Sequence, residues 1–485
     1  MPFRAIATGA LLLDLIASCG GDGRTTDGPT TEPPPVTSAT AAVYVTTADQ
    51  SRLLSRDQDV NFVALSANAN LPSVAVDPGT RFQTVVGWGA AMTDASAYLF
   101  ENVLNAEQRQ TLFRELFGPE PGIGLNFVRI TMGASDFSKT HYSYDDMPAG
   151  QTDTTLAHFS IDVDRAEKIP ALEEARAINP KLVLMGSPWS PPGWMKTTGS
   201  LIKGTLRPQF YPAFAEYFAR WIEAYQSEGL PITAVTLQNE PHFEPDNYPG
   251  MRLDPPQRAD IIKNHVGPLF AQRHITAQIW DWDHNWDEFN SPLGVLSDAS
   301  ARAFVSGIAW HCYGGDISAQ LLVHQQYPEK DTYFTECSGG EWAPVWADNL
   351  KWYVSKMVIG NARTYAKGVA LWNLALDENY GPHLGGCGNC RGVVTINSTT
   401  GKVTRNVEYY ALGHASRFVR PGAVRIESTA PVGLETVAFQ NTDDQSKVLI
   451  VLNDNAQATG FVVKDGDAGA SYTLPGGAVA TFVWK

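Results

Sequence analysis

The sequence predicts an α/β chain, a (β/α)8 TIM barrel with an attached β-sandwich domain. Between residues 83 and 388, eight short apolar runs alternate with helix-patterned segments. That is the pattern of parallel strands joined by crossover helices. From residue 389 onward the period becomes strand-like, broken by Gly, Asn and Asp turns, as in a sandwich. With 485 residues, 44% of them hydrophobic, the chain is long enough to fill more than one core.

Residues 1–19 read as a signal peptide. Arg4 is followed by a short apolar stretch from Ala5 to Ala17, too short to span a bilayer. The segment ends in Leu-Ile-Ala-Ser-Cys, similar to the lipobox of bacterial lipoproteins, which makes Cys19 the expected site of lipid attachment. An ordinary cleaved signal is the alternative, and both imply export. Residues 20–40 are Gly, Thr and Pro with little apolar content, a flexible linker. Residues 41–82 are strand-like and are expected to join the sandwich.

The eight barrel runs are TVVGWGAAMT, LNFVRITMG, KLVLMGSPW, AVTLQNEP, AQIWDWD, GIAWHCYGG, TYFTECSGG and GVALWNLAL. Among the intervening pieces, Phe210, Phe214, Tyr217, Phe218, Trp221 and Tyr225 recur at helical spacing before Gly229, so they are expected to face the core. In residues 389–485 the predicted sandwich strands are VVTIN, AVRIES, LETVAFQ, KVLIVLND, TGFVVK and VATFVWK.

Composition excludes several classes of function. A net charge of −15 and the lack of basic runs leave nothing to bind nucleic acid or an anionic membrane surface. No set of His or Cys has complete metal-ligand spacing, so no metal or cofactor is expected. Cys387 and Cys390, in the Gly-rich loop GGCGNCRG, are expected to form a local disulfide. Cys312 and Cys337 end neighbouring strands; a disulfide is geometrically possible, and two buried free thiols are the expectation.

Barrels carry their chemistry at the C-terminal ends of the strands. Glu240 ends the fourth run and Glu336 the seventh, so two carboxylates face each other across the mouth. Glycoside hydrolysis needs such a pair, one as proton donor and one ionised; at about 5 to 5.5 Å apart they retain anomeric configuration. Asn239 can hydrogen-bond a sugar hydroxyl, and Trp189 and Trp372 offer flat faces to a pyranose ring. Asp94 can accept from sugar hydroxyls, although the start of the next helix also needs a cap there. Arg129 can orient a glutamate, and His311 is expected to brace a neighbour by hydrogen bonding.

These stretches, with VRITMGASDFS, GSPWSPPGWMKTTGSL, ALWNLALDENYGP and EYYALGHASRFVRPGAVRI, resemble glycoside hydrolase family 30, the group of glucosylceramidases and endo-β-1,6-glucanases. The resemblance spans roughly residues 80–485. It implies Glu240 as acid/base and Glu336 as nucleophile. It also implies sugar contacts from Asp94, Trp189, Asn239 and Trp372, with Tyr313 beside the nucleophile. The expected function is a retaining β-glycosidase on β-1,6-glucan or related β-glucosides. Glucosylceramide, then a β-xylan, are the next substrates, and a carbohydrate-binding barrel without catalysis is the rival.

Overall fold

The computed structural model describes residues 39–65 and 71–485. The expected signal peptide of residues 1–19 and the part of the expected linker up to residue 38 lie outside the described residues. Eight parallel strands close into a barrel: Gly87–Met92, Phe127–Met132, Val183–Pro188, Ile232–Thr236, Gln278–Asn285, Val305–His311, Asp331–Glu336 and Ala366–Leu371. Each pairs with the next, and the eighth pairs with the first. The barrel is filled by alternate side chains, as the two-residue strand period requires. Phe127, Met185, Ala234, Trp280, Ala309, Tyr333 and Ala370 form this inner layer. The rings of Trp280 and Tyr333 stack at 3.6 Å inside it.

The aromatic segment predicted as a helix runs from Tyr211 to Ser227 and buries Phe214, Tyr217, Phe218, Trp221 and Tyr225. Trp221 lies against Gly186 on the third strand, where a Cβ would come within 2.3 Å of the indole. The glycine is therefore a packing requirement for the helix to sit on the sheet.

The strands before the barrel belong to the C-terminal sheet. Thr40–Thr46 pairs antiparallel with Val479–Trp484. Ser73–Thr84 pairs antiparallel with Val424–Ser428 and parallel with Thr459–Asp465. Val43, Val74, Leu449, Phe461 and Phe482 share the core enclosed by this sheet. One expectation needs correction. The run VVTIN is not a sandwich strand, because Val394–Ile396 pairs with Ala375–Leu376 and Val403–Arg405. The helix Val407–Ser416 follows and packs on the barrel's first strand. Residues 389–419 therefore cover the barrel, and the sandwich proper resumes at Val424.

That helix is tied to the sandwich through His414. Its two ring nitrogens contact the hydroxyls of Thr46 and Thr481, each at 2.8 Å. Burial, helped by the nearby Arg417 charge, pushes the imidazole down to about 3 from an ordinary 6.5. The folded chain therefore keeps a neutral ring where the unfolded chain binds a proton. This contribution is intact above pH 6.5 and is lost as pH falls from there toward 3. We expect His414→Gln to lower the urea midpoint at pH 8 but to flatten the fall in stability between pH 6 and 4. Urea titrations across that range measure it.

Candidate active site

The fourth strand ends at Thr236, and the chain turns through Asn239 and Glu240 at its C-terminal end. Glu240 has a φ of +47°, a left-handed backbone that costs energy for a residue with a Cβ. Trp282, Asp283 and Asn373 also have positive φ. All four lie at this one end of the barrel, where strained backbone is tolerated because it aims side chains inward.

Glu336 is the last residue of the seventh strand and is 5% exposed. The Nδ1 atom of His311 lies 3.1 Å from Oε1 of Glu240 and 4.0 Å from Oε1 of Glu336. Two oxygens sharing one neighbour at these distances are no more than about 7 Å apart. That cap admits the retaining separation of about 5 to 5.5 Å and falls below most of the inverting range of about 6.5 to 9.5 Å.

A buried network fixes the pair. Arg129, on the second strand and wholly buried, donates to Glu336, to Oδ1 of Asn239 at 2.7 Å and to Asp283 at 2.7 Å. Tyr313 donates its hydroxyl to Glu336 at 2.9 Å. Asp283 sits at a bulge in the fifth strand and is fully buried. It accepts from Ser187, Thr236, Thr335 and His311 as well as from Arg129. Burial would raise its carboxyl, but the Arg129 charge and these donors hold it well below the usual carboxylate range.

His311 joins Asp283 to Glu240. Burial opposes its charge, yet the carboxylates of Glu336, Asp283 and Glu240 push the imidazole up to about 9. At neutral pH it is an imidazolium that donates from both nitrogens. Arg129 and His311 thus supply two positive charges against three carboxylates, and one further proton makes the group neutral. Glu240 and Glu336 compete for that proton as a coupled pair. Burial raises Glu336 against the pull of His311 and Arg129. Burial also raises Glu240, but the His311 hydrogen bond, the neighbouring His284, 3.6 Å from its carboxylate, and the His311 and Arg129 charges draw it lower. The two environments therefore bias the proton toward Glu336. A positive charge developing on a sugar carbon beside Glu336 reverses that bias, because it stabilises the ionised form.

Both glutamates line a cavity of about 600 Å³ with Asp136, Phe243, Tyr248, Tyr313, Trp342 and Trp372, among others. The other expected residues stand behind this wall. Trp189 is 3% exposed and stacks on Trp372 at 4.9 Å, with the Arg129 guanidinium over both rings. It therefore backs the platform that Trp372 presents. Asn239 has its Oδ1 fixed by Arg129, which leaves its amide nitrogen as the donor.

Asp94 is a correction. Its carboxylate binds Lys168 at 2.8 Å together with Ser138 and Tyr142, outside the cavity that holds the glutamates. The helix N-cap is Thr93, which accepts from Ser96. Asp136 takes the place expected of Asp94. It lies in the loop after the second strand, 7% exposed, and its Oδ1 has no hydrogen-bond partner. Burial, with repulsion from Glu336 and Glu240, pushes its carboxyl up to about 8. Its signal was the ASDFS stretch, a carboxylate directly after a strand, as TDASA was after the first. We expect Asp136→Asn to lower kcat/KM about ten- to a hundredfold, the value of a hydrogen bond to an ionisable group. It should also remove any limb near pH 8 from the kcat/KM profile.

A second correction concerns sulfur. Cys312 and Cys337 form a disulfide with a Cα separation of 5.4 Å, where free thiols were expected. His311 pairs with Glu336 in register, so the next residue of each strand meets the other. The bond ties Tyr313 and Glu336 to one rigid edge. Cys387 and Cys390 are also bonded, on the cavity wall.

Two groups of side chains among the described residues have metal-ligand proximity. Glu240, His284 and His311 place ligating atoms within 4.8 Å of one another, but both His311 nitrogens already serve carboxylates and its positive charge repels a cation. Asp145, Asp153 and His158 form the other group, away from the glutamates.

The glycosyl hydrolase family 30 TIM-barrel domain matches residues 85–419, and the family's β-sandwich domain matches residues 422–482. An endo-1,6-β-D-glucanase from Neurospora crassa is 35% identical over 392 residues, covering 78% of this chain and 80% of that protein. The lysosomal acid glucosylceramidase of Mus musculus is 30% identical over 467 residues, covering 89% and 87%. The solved structure of the endo-β1,6-glucanase BT3312 is 32% identical, with a TM-score of 0.84, covering 92% of this chain and 99% of that one. The chain belongs to glycosyl hydrolase family 30 and is a glycoside hydrolase.

Proposed function

We propose that this family 30 enzyme is a retaining hydrolase of β-1,6-linked glucan, with Glu336 as nucleophile and Glu240 as acid/base. The observation that carries the roles is the difference in what holds each carboxylate. Glu336 is clamped by a guanidinium that never loses its charge and by the Tyr313 hydroxyl. Glu240 instead faces His311, a group that can exchange a proton with it. In the first step the Glu240 proton passes to the glycosidic oxygen, the bond from that oxygen to C1 breaks, and Glu336 bonds to C1. In the second, Glu240 takes a proton from water, whose oxygen attacks C1 and releases Glu336. The developing positive charge at C1 favours Glu336 as the ionised partner.

The substrate assignment rests on the glucanase relatives, which act on β-1,6-glucan and share about a third of their residues with this chain. The second reading is glucosylceramide, favoured by the glucosylceramidase relatives. A panel of β-1,6-glucan, β-1,3-glucan, xylan and glucosylceramide vesicles separates them. Highest kcat/KM on β-1,6-glucan supports the proposal, and turnover of glucosylceramide alone replaces it.

We further propose that the protein is exported and acylated at Cys19, with residues 20–40 as a tether. Mass spectrometry of the mature N-terminus is expected to find a lipidated Cys19. A free N-terminus at another residue contradicts it.

A further inference from the structure

Beside the catalytic cavity lies a second groove of about 620 Å³ that shares Tyr313 and Trp342 with it. It runs along the segment after the seventh strand, past Ser338, Val345 and Asp348 to Trp352 and Tyr353. Trp342 and Trp352 are 55% and 39% exposed. Two exposed indoles in one continuous groove are unusual for a surface that meets only water.

The groove floor is polar in a particular way. The Ser338 hydroxyl is buried and lacks a hydrogen-bond partner, whereas the Tyr353 hydroxyl lies beside the Glu408 carboxylate. An unpartnered buried hydroxyl is costly and calls for a ligand that supplies the missing bond. An alkyl chain cannot supply it. A pyranose can, because it presents an apolar face to an indole and a rim of hydroxyls to the floor. Asp348 adds a carboxylate that accepts from sugar hydroxyls.

We propose that this groove binds further glucosyl units of the glucan chain, beyond the unit held between Glu240 and Glu336. Trp352 is the outer stacking platform, and the Ser338 hydroxyl is the hydrogen-bonding floor. The inference rests on the β-glucan reading above. It extends that reading from a single sugar site to an extended one in which catalytic efficiency grows with chain length.

The test compares wild type, Trp352→Ala and Ser338→Ala on β-1,6-gluco-oligosaccharides of increasing length, an aryl β-glucoside and a long-chain alkyl β-glucoside. Wild-type kcat/KM should rise with chain length. Trp352→Ala should lose about tenfold on the longer chains, the value of one aromatic platform, and nothing on the aryl glucoside. Ser338→Ala removes only the hydroxyl and should lose severalfold on the same chains. Equal values for all three proteins at every length overturn the groove assignment and leave the catalytic reading intact. A loss confined to the alkyl glucoside reassigns the groove to an apolar aglycone. A wild type that cleaves the aryl glucoside but no β-1,6-linkage overturns the substrate reading and this inference with it.

Discussion

Replacing Glu336 with Gln is expected to lower turnover of β-glucan by roughly a hundred-thousand- to a million-fold, the scale seen when a covalent nucleophile is removed. The amide is nearly isosteric with the carboxylate, so the effect is chemical. With the amide oxygen turned to Arg129, the amide nitrogen faces Tyr313, whose hydroxyl can rotate to accept from it. The site should therefore stay folded and continue to bind sugar. No glycosyl-enzyme should form, even from an activated aryl glycoside, because a good leaving group does not replace the missing bond to C1. Thermal unfolding within a few degrees of wild type, alongside lost turnover, is the expected combination. Variant activity within tenfold of wild type would exclude Glu336 as nucleophile.

Removing the other carboxylate should divide the reaction differently. With Glu240→Ala, cleavage of unactivated glucan should fall steeply, because its leaving oxygen needs the proton. A dinitrophenyl glycoside leaves without help, so its glycosyl-enzyme should still form and then persist. Deglycosylation should slow by about a hundred- to ten-thousandfold, the usual contribution of general base catalysis. Azide needs no deprotonation, and it should restore turnover and yield the β-glucosyl azide. His311 would lose one of its three carboxylate neighbours, so its proton affinity should drop in the same variant. A β-azide appearing with the Glu336 variant, and an α-azide with the Glu240 variant, would exchange the two roles.

The barrel was readable because each strand is an apolar run of the right length followed by polar residues. All eight runs became strands, including those of Glu240 and Glu336. The sandwich was less readable where side chains are small. Ala468–Leu474 is a strand whose AGASYTL sequence carries little β signal. Val394–Ile396 carries a strong signal but pairs with residues beside the barrel, because local propensity does not name a partner.

The site divides in the same way. Its glutamates, Tyr313 and Trp372 follow from strand ends, and Arg129 from a charge set inside an otherwise apolar strand. Asp136 and Asp94 could not be told apart, since both are carboxylates just after a strand. Only Lys168, contributed by a helix dozens of residues away, shows that Asp94 is already occupied. Asp283 lies within the fifth apolar run, and nothing local says that a bulge will turn its carboxylate inward. The Cys312–Cys337 bond depends on strand register, which is a tertiary property.

A double displacement through two glutamates is reported directly by the anomeric form of the first product. Proton NMR during the opening minutes of β-1,6-gluco-oligosaccharide hydrolysis, before mutarotation, resolves the two anomers of the newly formed reducing end. The account predicts that the β-anomer appears first and the α-anomer grows in only at the rate of spontaneous mutarotation. Initial appearance of the α-anomer would mean a single displacement by water, and it would contradict the assignment of Glu336 as a covalent nucleophile.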